Sequence, residues 1–302
     1  MKERHVWFGA TKSLSGILTE PDGPATGPAV LLLNAGLLHR VGPHRLNVVL
    51  ARRFAAAGLP SLRFDNSGLG ESEPRRDELT LEQSMLAEGI EAMNFLAGAG
   101  VAERFVPMGL CAGAEQSQRL AHEDPRVVGA VLIDGYAYRT PGYYLREYGH
   151  HLASARSWSR LLASPLKLRK FLLGRRAVAP GPAPSNPGGV DFVREFPPRD
   201  VCLAQLQKVL ARAVDLFLIF TGGGMSEFYN SPRQFHETFP ALRGHPRIRL
   251  DFMPLADHTF TLRSQQDAVL ASIDAWARAT LLADEADRTR EGAAAAAAAA
   301  AT

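Results

Sequence analysis

Six short apolar runs divide the chain: Ala29–Leu33, Pro60–Phe64, Phe105–Gly109, Val127–Ile133, Asp215–Phe220 and Ile248–Met253. They are continuous rather than alternating in polarity, which is the pattern of strands buried on both faces. Helical periodicity fills the gaps. Asn47–Ala57 closes at Gly58, a suitable C-cap, and Thr80–Ala97 opens on Thr80-Leu81-Glu82-Gln83, the spacing of a capping box. Ala114–His122 and Ser264–Leu281 read as two further helices. Strands alternating with helices predict an α/β domain, a mostly parallel sheet with helices on both faces. Val6–Thr19 reads as an antiparallel hairpin opening that sheet.

The alternation breaks from about Pro141 to Leu210. This stretch starts with the aromatic and basic Tyr143-Tyr144-Leu145-Arg146-Glu147-Tyr148. It continues through Trp158 and a helical Leu161–Leu173 into the loop Pro180–Gly189, rich in Pro and Gly. The expected organisation is a core of residues 1–140 and 211–285, an inserted helical lid at 141–210, and a low-complexity tail at 286–302. A helical subdomain with no part in access is the competing reading of the insertion.

Chemistry concentrates at Gly109-Leu110-Cys111-Ala112-Gly113, between an apolar strand and a helix. Strand, sharp turn and helix make the context of a nucleophile elbow, in which a crowded turn needs small neighbours. Gly109, Ala112, Gly113 and Ala114 supply them. The central residue is cysteine, whose thiolate is the attacking form, and the helix N-terminus behind it favours negative charge.

Net charge is +3 over 302 residues, with no basic block or nucleic-acid motif. No apolar run reaches the length of a membrane span, and no hydrophobic stretch follows Met1-Lys2-Glu3-Arg4-His5 to make a signal peptide. Two cysteines, Cys111 and Cys202, cannot form a disulfide framework, so a reducing cytoplasm is the expected setting. His150-His151 lacks companions at metal-ligand spacing, and Thr221-Gly222-Gly223-Gly224 is not followed by the Lys of a phosphate loop. Neither a metal nor another cofactor is expected.

The elbow, together with Phe64-Asp65-Asn66-Ser67-Gly68-Leu69-Gly70-Glu71-Ser72, resembles the α/β-hydrolase superfamily. Arg40-Val41-Gly42-Pro43-His44-Arg45 is similar to a stretch of hydrolases associated with exosortase gene clusters, which often carry cysteine at the elbow. The resemblance covers about residues 6–140 well and 214–280 more weakly. It implies a nucleophile–acid–histidine order along the chain, with Cys111 as nucleophile and His258 as base, the latter on the loop after the last strand. It also implies an oxyanion hole from the amide of Ala112 and that of Gly36 or Leu37. The acid is open. The family's usual aspartate turn reads Phe220-Thr221-Gly222-Gly223-Gly224-Met225-Ser226-Glu227 here, so Glu227 is one candidate. Asp134 is the other: it ends an apolar strand, where an unpaired carboxylate is costly and a histidine would relieve it. Asp257 adjoins the base and reads as a loop hydrogen-bond group. Asn34-Ala35-Gly36 also departs from the His-Gly common in the family.

The implied chemistry is hydrolysis or transfer of an ester or thioester acyl group. The substrate is a small acyl compound, free or borne on a carrier protein, as in cyclase-type relatives that have cysteine at the elbow. Tyr136, Tyr138, Tyr143 and Tyr144 are candidates for lining an apolar acyl pocket. His39, His44 and Arg45 suit either an anionic substrate group or a solvated face. The alternative is a catalytically silent binding protein on the same fold.

Overall fold

The computed structural model describes residues 1–153, 196–223 and 229–283. β1 (Lys2–Phe8) and β2 (Leu14–Glu20) form the expected hairpin, and β2 pairs antiparallel with β4 (Ser61–Phe64). The remaining pairings are parallel, through β3 (Ala29–Leu32), β5 (Phe105–Leu110), β6 (Gly129–Ile133), β7 (Asp215–Gly223) and β8 (Ile248–Asp257). The described strands make one sheet in the order β1-β2-β4-β3-β5-β6-β7-β8.

Successive strand residues point to opposite faces, and here both faces are apolar. Leu31, Leu62, Leu132 and Leu216 join one core cluster, while Val30, Leu32, Val131 and Phe217 join the other. The first core is closed by α2 (Leu81–Gly98), α3 (Ala112–Glu123) and α5 (Arg199–Ala211). The second is closed by α1 (Leu46–Ala56) and α7 (Arg263–Ala277). Burial on both sides is why these strands read as unbroken apolar runs. The Thr80–Gln83 capping box is present in full at the start of α2. Gly58, at φ +86°, follows α1.

Two strand ends differ from expectation. β7 and β8 run on to Gly223 and Asp257, beyond the apolar runs that mark them. Gly222 and Gly223 permit this: a Cβ on Gly222 would lie 2.9 Å from Pro254 Cα, and one on Gly223 would lie 2.9 Å from Ala256 O. Absence of side chains lets the two strand tips close together, and the β8 exit then leads past the β7 tip toward the end of β6.

Two described helices stand at the two ends of the expected insertion. α4 (Pro141–Ala153) is tied to the short α6 (Gln234–Thr238) by the two-pronged Arg146–Glu237 ion pair, at 2.7 and 3.1 Å. α5 returns to the core and buries Cys202, Leu206 and Val209 on the α3 side. Trp158, Leu161–Leu173 and the Pro180–Gly189 loop lie outside the described residues, as do Glu227 and the tail from 284.

Candidate active site

One residue, Cys111, separates β5 from α3. It sits at φ +58° and ψ −118°, a conformation that L-residues adopt only when their surroundings enforce it. The enforcing contacts are close. A Cβ on Gly109 would stand 2.3 Å from the carbonyl carbon of Gly113, and one on Gly113 would stand 2.6 Å from Asn34 O. The Cys111 amide donates to Ile133 O at 2.9 Å, pinning the turn to β6. Cys111 remains partly exposed. Ala112 begins α3, so its amide has no acceptor within the helix and belongs to the electropositive end beside the sulfur.

Asp134 follows β6 at φ +48° and is 6% exposed. Its amide donates to Ile219 O of β7 at 2.9 Å. Its carboxylate accepts from the Thr221 amide at Oδ1 (2.8 Å), and from the Thr221 hydroxyl at Oδ2 (2.7 Å). His258 Nδ1 lies 2.8 Å from the same Oδ2. The Cys111 side chain is near enough to bear on the ionisation of the ring, and with Nδ1 engaged, Nε2 is the nitrogen left for the sulfur. Asp134 and His258 therefore meet beside the Cys111 turn, although they are 124 residues apart in the chain.

The histidine loop is held from both sides. Asp257 Oδ1 accepts the amides of Thr259 (3.0 Å) and Thr261 (3.2 Å), the loop role read for it. Phe260, at φ +54°, is fully buried in the core under α1 and α7.

Burial alone would discourage charge on the His258 ring. The hydrogen bond and charge of Asp134, with a smaller contribution from the neighbouring Cys111, outweigh it and raise the ring's pKa to about 9. The sign for stability follows. A folded-state pKa above the ordinary histidine value stabilises the fold fully below pH 6.5, and that contribution disappears as pH rises through about 9. Between pH 7 and 10 the wild-type protein is expected to lose roughly 2–3 kcal/mol more than His258→Gln does, measured by urea denaturation at each pH. Equal slopes for the two proteins would contradict the charged ring.

The loop after β3 adjoins the elbow through the Asn34–Gly113 contact. Gly36, at φ +57°, faces open space, with nothing within 4 Å of an added Cβ, and Leu37 is exposed. The Asn34 side chain spans two loops, donating to Leu38 O and accepting from the Asn66 amide, both at 2.9 Å. Arg40 ion-pairs with the fully buried Asp65 and with Glu71. Gly70, at φ +54°, gives Asp65 room, since a Cβ there would overlap its carboxylate. His39, His44 and Arg45 are exposed.

No protein-family model matches the chain, and no curated protein does. Solved structures do. An esterase of Pyrococcus furiosus superposes with a TM-score of 0.59 at 15% identity, covering 93% of this chain and 92% of the esterase. A dienelactone hydrolase of Anabaena variabilis gives 0.56 at 16% identity, covering 93% and 98%. A puromycin-hydrolysing peptidase of Mycobacterium tuberculosis gives 0.57 at 15% identity, covering 93% of this chain and 39% of the peptidase. The chain has the α/β-hydrolase fold.

Within that α/β-hydrolase fold, Thr221 is the residue that sequence reasoning passed over. It was read only as the edge of a glycine run, yet it donates twice to Asp134. The tyrosines divide. Tyr136, Tyr138 and Tyr143 pack or hydrogen-bond internally, Tyr136 accepting from Arg119 (3.2 Å) and Tyr138 donating to Pro197 O (2.8 Å). Tyr144 is exposed. Among the described residues no cluster of His, Cys, Asp and Glu could hold a metal, and no helix is long and apolar enough to cross a membrane.

Proposed function

We propose that Cys111, His258 and Asp134 act as nucleophile, acid–base and orienting carboxylate in cleaving an ester or thioester through an S-acyl enzyme. One observation carries this reading: His258 is bonded through Nδ1 to the buried Asp134, beside the Cys111 turn, and its pKa is raised to about 9. In this reading the proton rests on the ring, and the sulfur attacks as the thiolate.

The sulfur attacks the acyl carbon, and the carbonyl π electrons move onto oxygen. The amides of Ala112 and of Gly36 or Leu37 receive that oxyanion. As the tetrahedral adduct collapses, the bond to the leaving alcohol or thiol breaks and His258 gives it the Nε2 proton. Water, or an acceptor alcohol, amine or thiol, attacks the S-acyl group while His258 takes the incoming proton. Sulfur leaves as thiolate and the imidazolium is restored. A thioester acyl-enzyme favours transfer to a nucleophile better than water, so transfer or cyclisation of activated acyl groups, including carrier-bound ones, fits the cysteine. The esterase and hydrolase names of the structural neighbours support the ester chemistry. Both cysteines are free, which suits a reducing, cytoplasmic setting.

The test is intact-mass spectrometry after incubation with a panel of acyl thioesters and p-nitrophenyl esters. A mass gain equal to one acyl group, mapped to Cys111, is the expected result. No adduct and no turnover across the panel would favour a silent binding protein.

A further inference from the structure

We propose that Thr221 is a positioning residue for Asp134, its hydroxyl fixing which carboxylate oxygen faces His258. This rests on the triad reading above. The argument starts from strand register. Ile133 pairs with Ile219, and β6 ends there, whereas β7 continues to Gly223. Asp134, turned off the sheet at φ +48°, therefore lies beside the β7 tip.

Toward the carboxylate the tip presents two donors. A carboxylate accepts and does not donate, so the Thr221 hydroxyl gives its proton to Oδ2 while the amide gives its own to Oδ1. The carboxylate is held at both corners. His258 converges on the oxygen that the hydroxyl holds. If the hydroxyl is removed, Oδ2 loses the donor that sets its direction toward the imidazole, while the amide still holds Oδ1. Thr221 is wholly buried, and Gly222 and Gly223 behind it let β8 close over the same place. β7 thus provides the clamp and β6 the acid, which accounts for a β7 turn that needs no aspartate of its own.

The experiment compares Thr221→Val, which keeps the shape and the amide, with Thr221→Ser, which restores the hydroxyl. Thr221→Ala serves if the valine variant does not fold. On an ester turned over by the wild type, Thr221→Val is expected to lower kcat about tenfold, the worth of one hydrogen bond to a charged group, with KM within about twofold. Thr221→Ser is expected to stay within about twofold of wild type in kcat. A second readout needs no turnover. The His258 Nδ1–H proton resonance, assigned by its loss in His258→Gln, is expected to move upfield and exchange faster in Thr221→Val, and to recover in Thr221→Ser. An unchanged resonance in the valine variant overturns the proposal whether or not Cys111 is the nucleophile. Loss of turnover without any change in the resonance overturns it equally.

Discussion

Cys111→Ala is expected to lower kcat on any substrate the wild type turns over by at least about 10⁴-fold, because the acyl-enzyme route disappears with the sulfur. What survives is the oxyanion hole and binding, enough for a slow background and no mass adduct. Cys111→Ser is the sharper variant. Serine keeps a nucleophilic oxygen at the same strained φ of +58°, but its hydroxyl does not ionise against an imidazolium as a thiol does. The ring would lose the sulfur's share in raising its pKa. A serine variant should run at least about 100-fold below wild type at neutral pH and regain some ground as pH rises and the ring becomes a free base. Both variants should fold, since neither adds a side chain to the crowded Gly109–Gly113 contact. Retention of more than a few per cent of wild-type kcat by the alanine variant would defeat the mechanism.

How much was legible depended on whether a role is written in one local segment. The elbow was. A turn in which a Cβ would strike the next backbone must be built from glycine and alanine, so the crowding around Cys111 shows in the letters themselves. Asp134 was half legible, because a carboxylate at the tip of an apolar strand announces a missing partner without naming it. Thr221 was not, because threonine is ordinary in a strand and its function exists only once the β6–β7 register sets it beside Asp134. Arg40 was quoted within a motif, yet its ion pair with Asp65 joins positions 25 residues apart and appears only when two loops fold together. The late ends of β7 and β8 were hidden for a related reason: Gly222 and Gly223 look like loop residues, and they are what permits the strands to continue. Glu227 lies outside the described residues, so the choice between the two acids falls to mutation.

Asp134→Asn makes that choice with a large effect. Among its partners the carboxylate accepts the Thr221 amide and hydroxyl and His258 Nδ1–H. An asparagine offers one carbonyl oxygen and one donor group. If its oxygen faces His258, its NH₂ meets the Thr221 amide, donor against donor. If its oxygen turns to that amide, the NH₂ points at the Thr221 hydroxyl and at Nδ1, which must give up its proton to accept. The ring then carries its only proton on Nε2, toward the sulfur, and cannot act as a base there. Either outcome is expected to lower kcat by about 10²–10⁴-fold, and a buried donor left without an acceptor costs about 1–3 kcal/mol in urea denaturation. Loss of the Asp134 charge also drops the His258 pKa below about 9, so the decline in stability between pH 7 and 10 should shrink in Asp134→Asn as it does in His258→Gln. Glu227→Gln is the counterpart and is expected to leave kcat within about threefold of wild type. The reverse pattern, a silent Asp134→Asn and a crippled Glu227→Gln, would transfer the acid to the β7 turn and leave the Asp134–His258 contact as a structural bond.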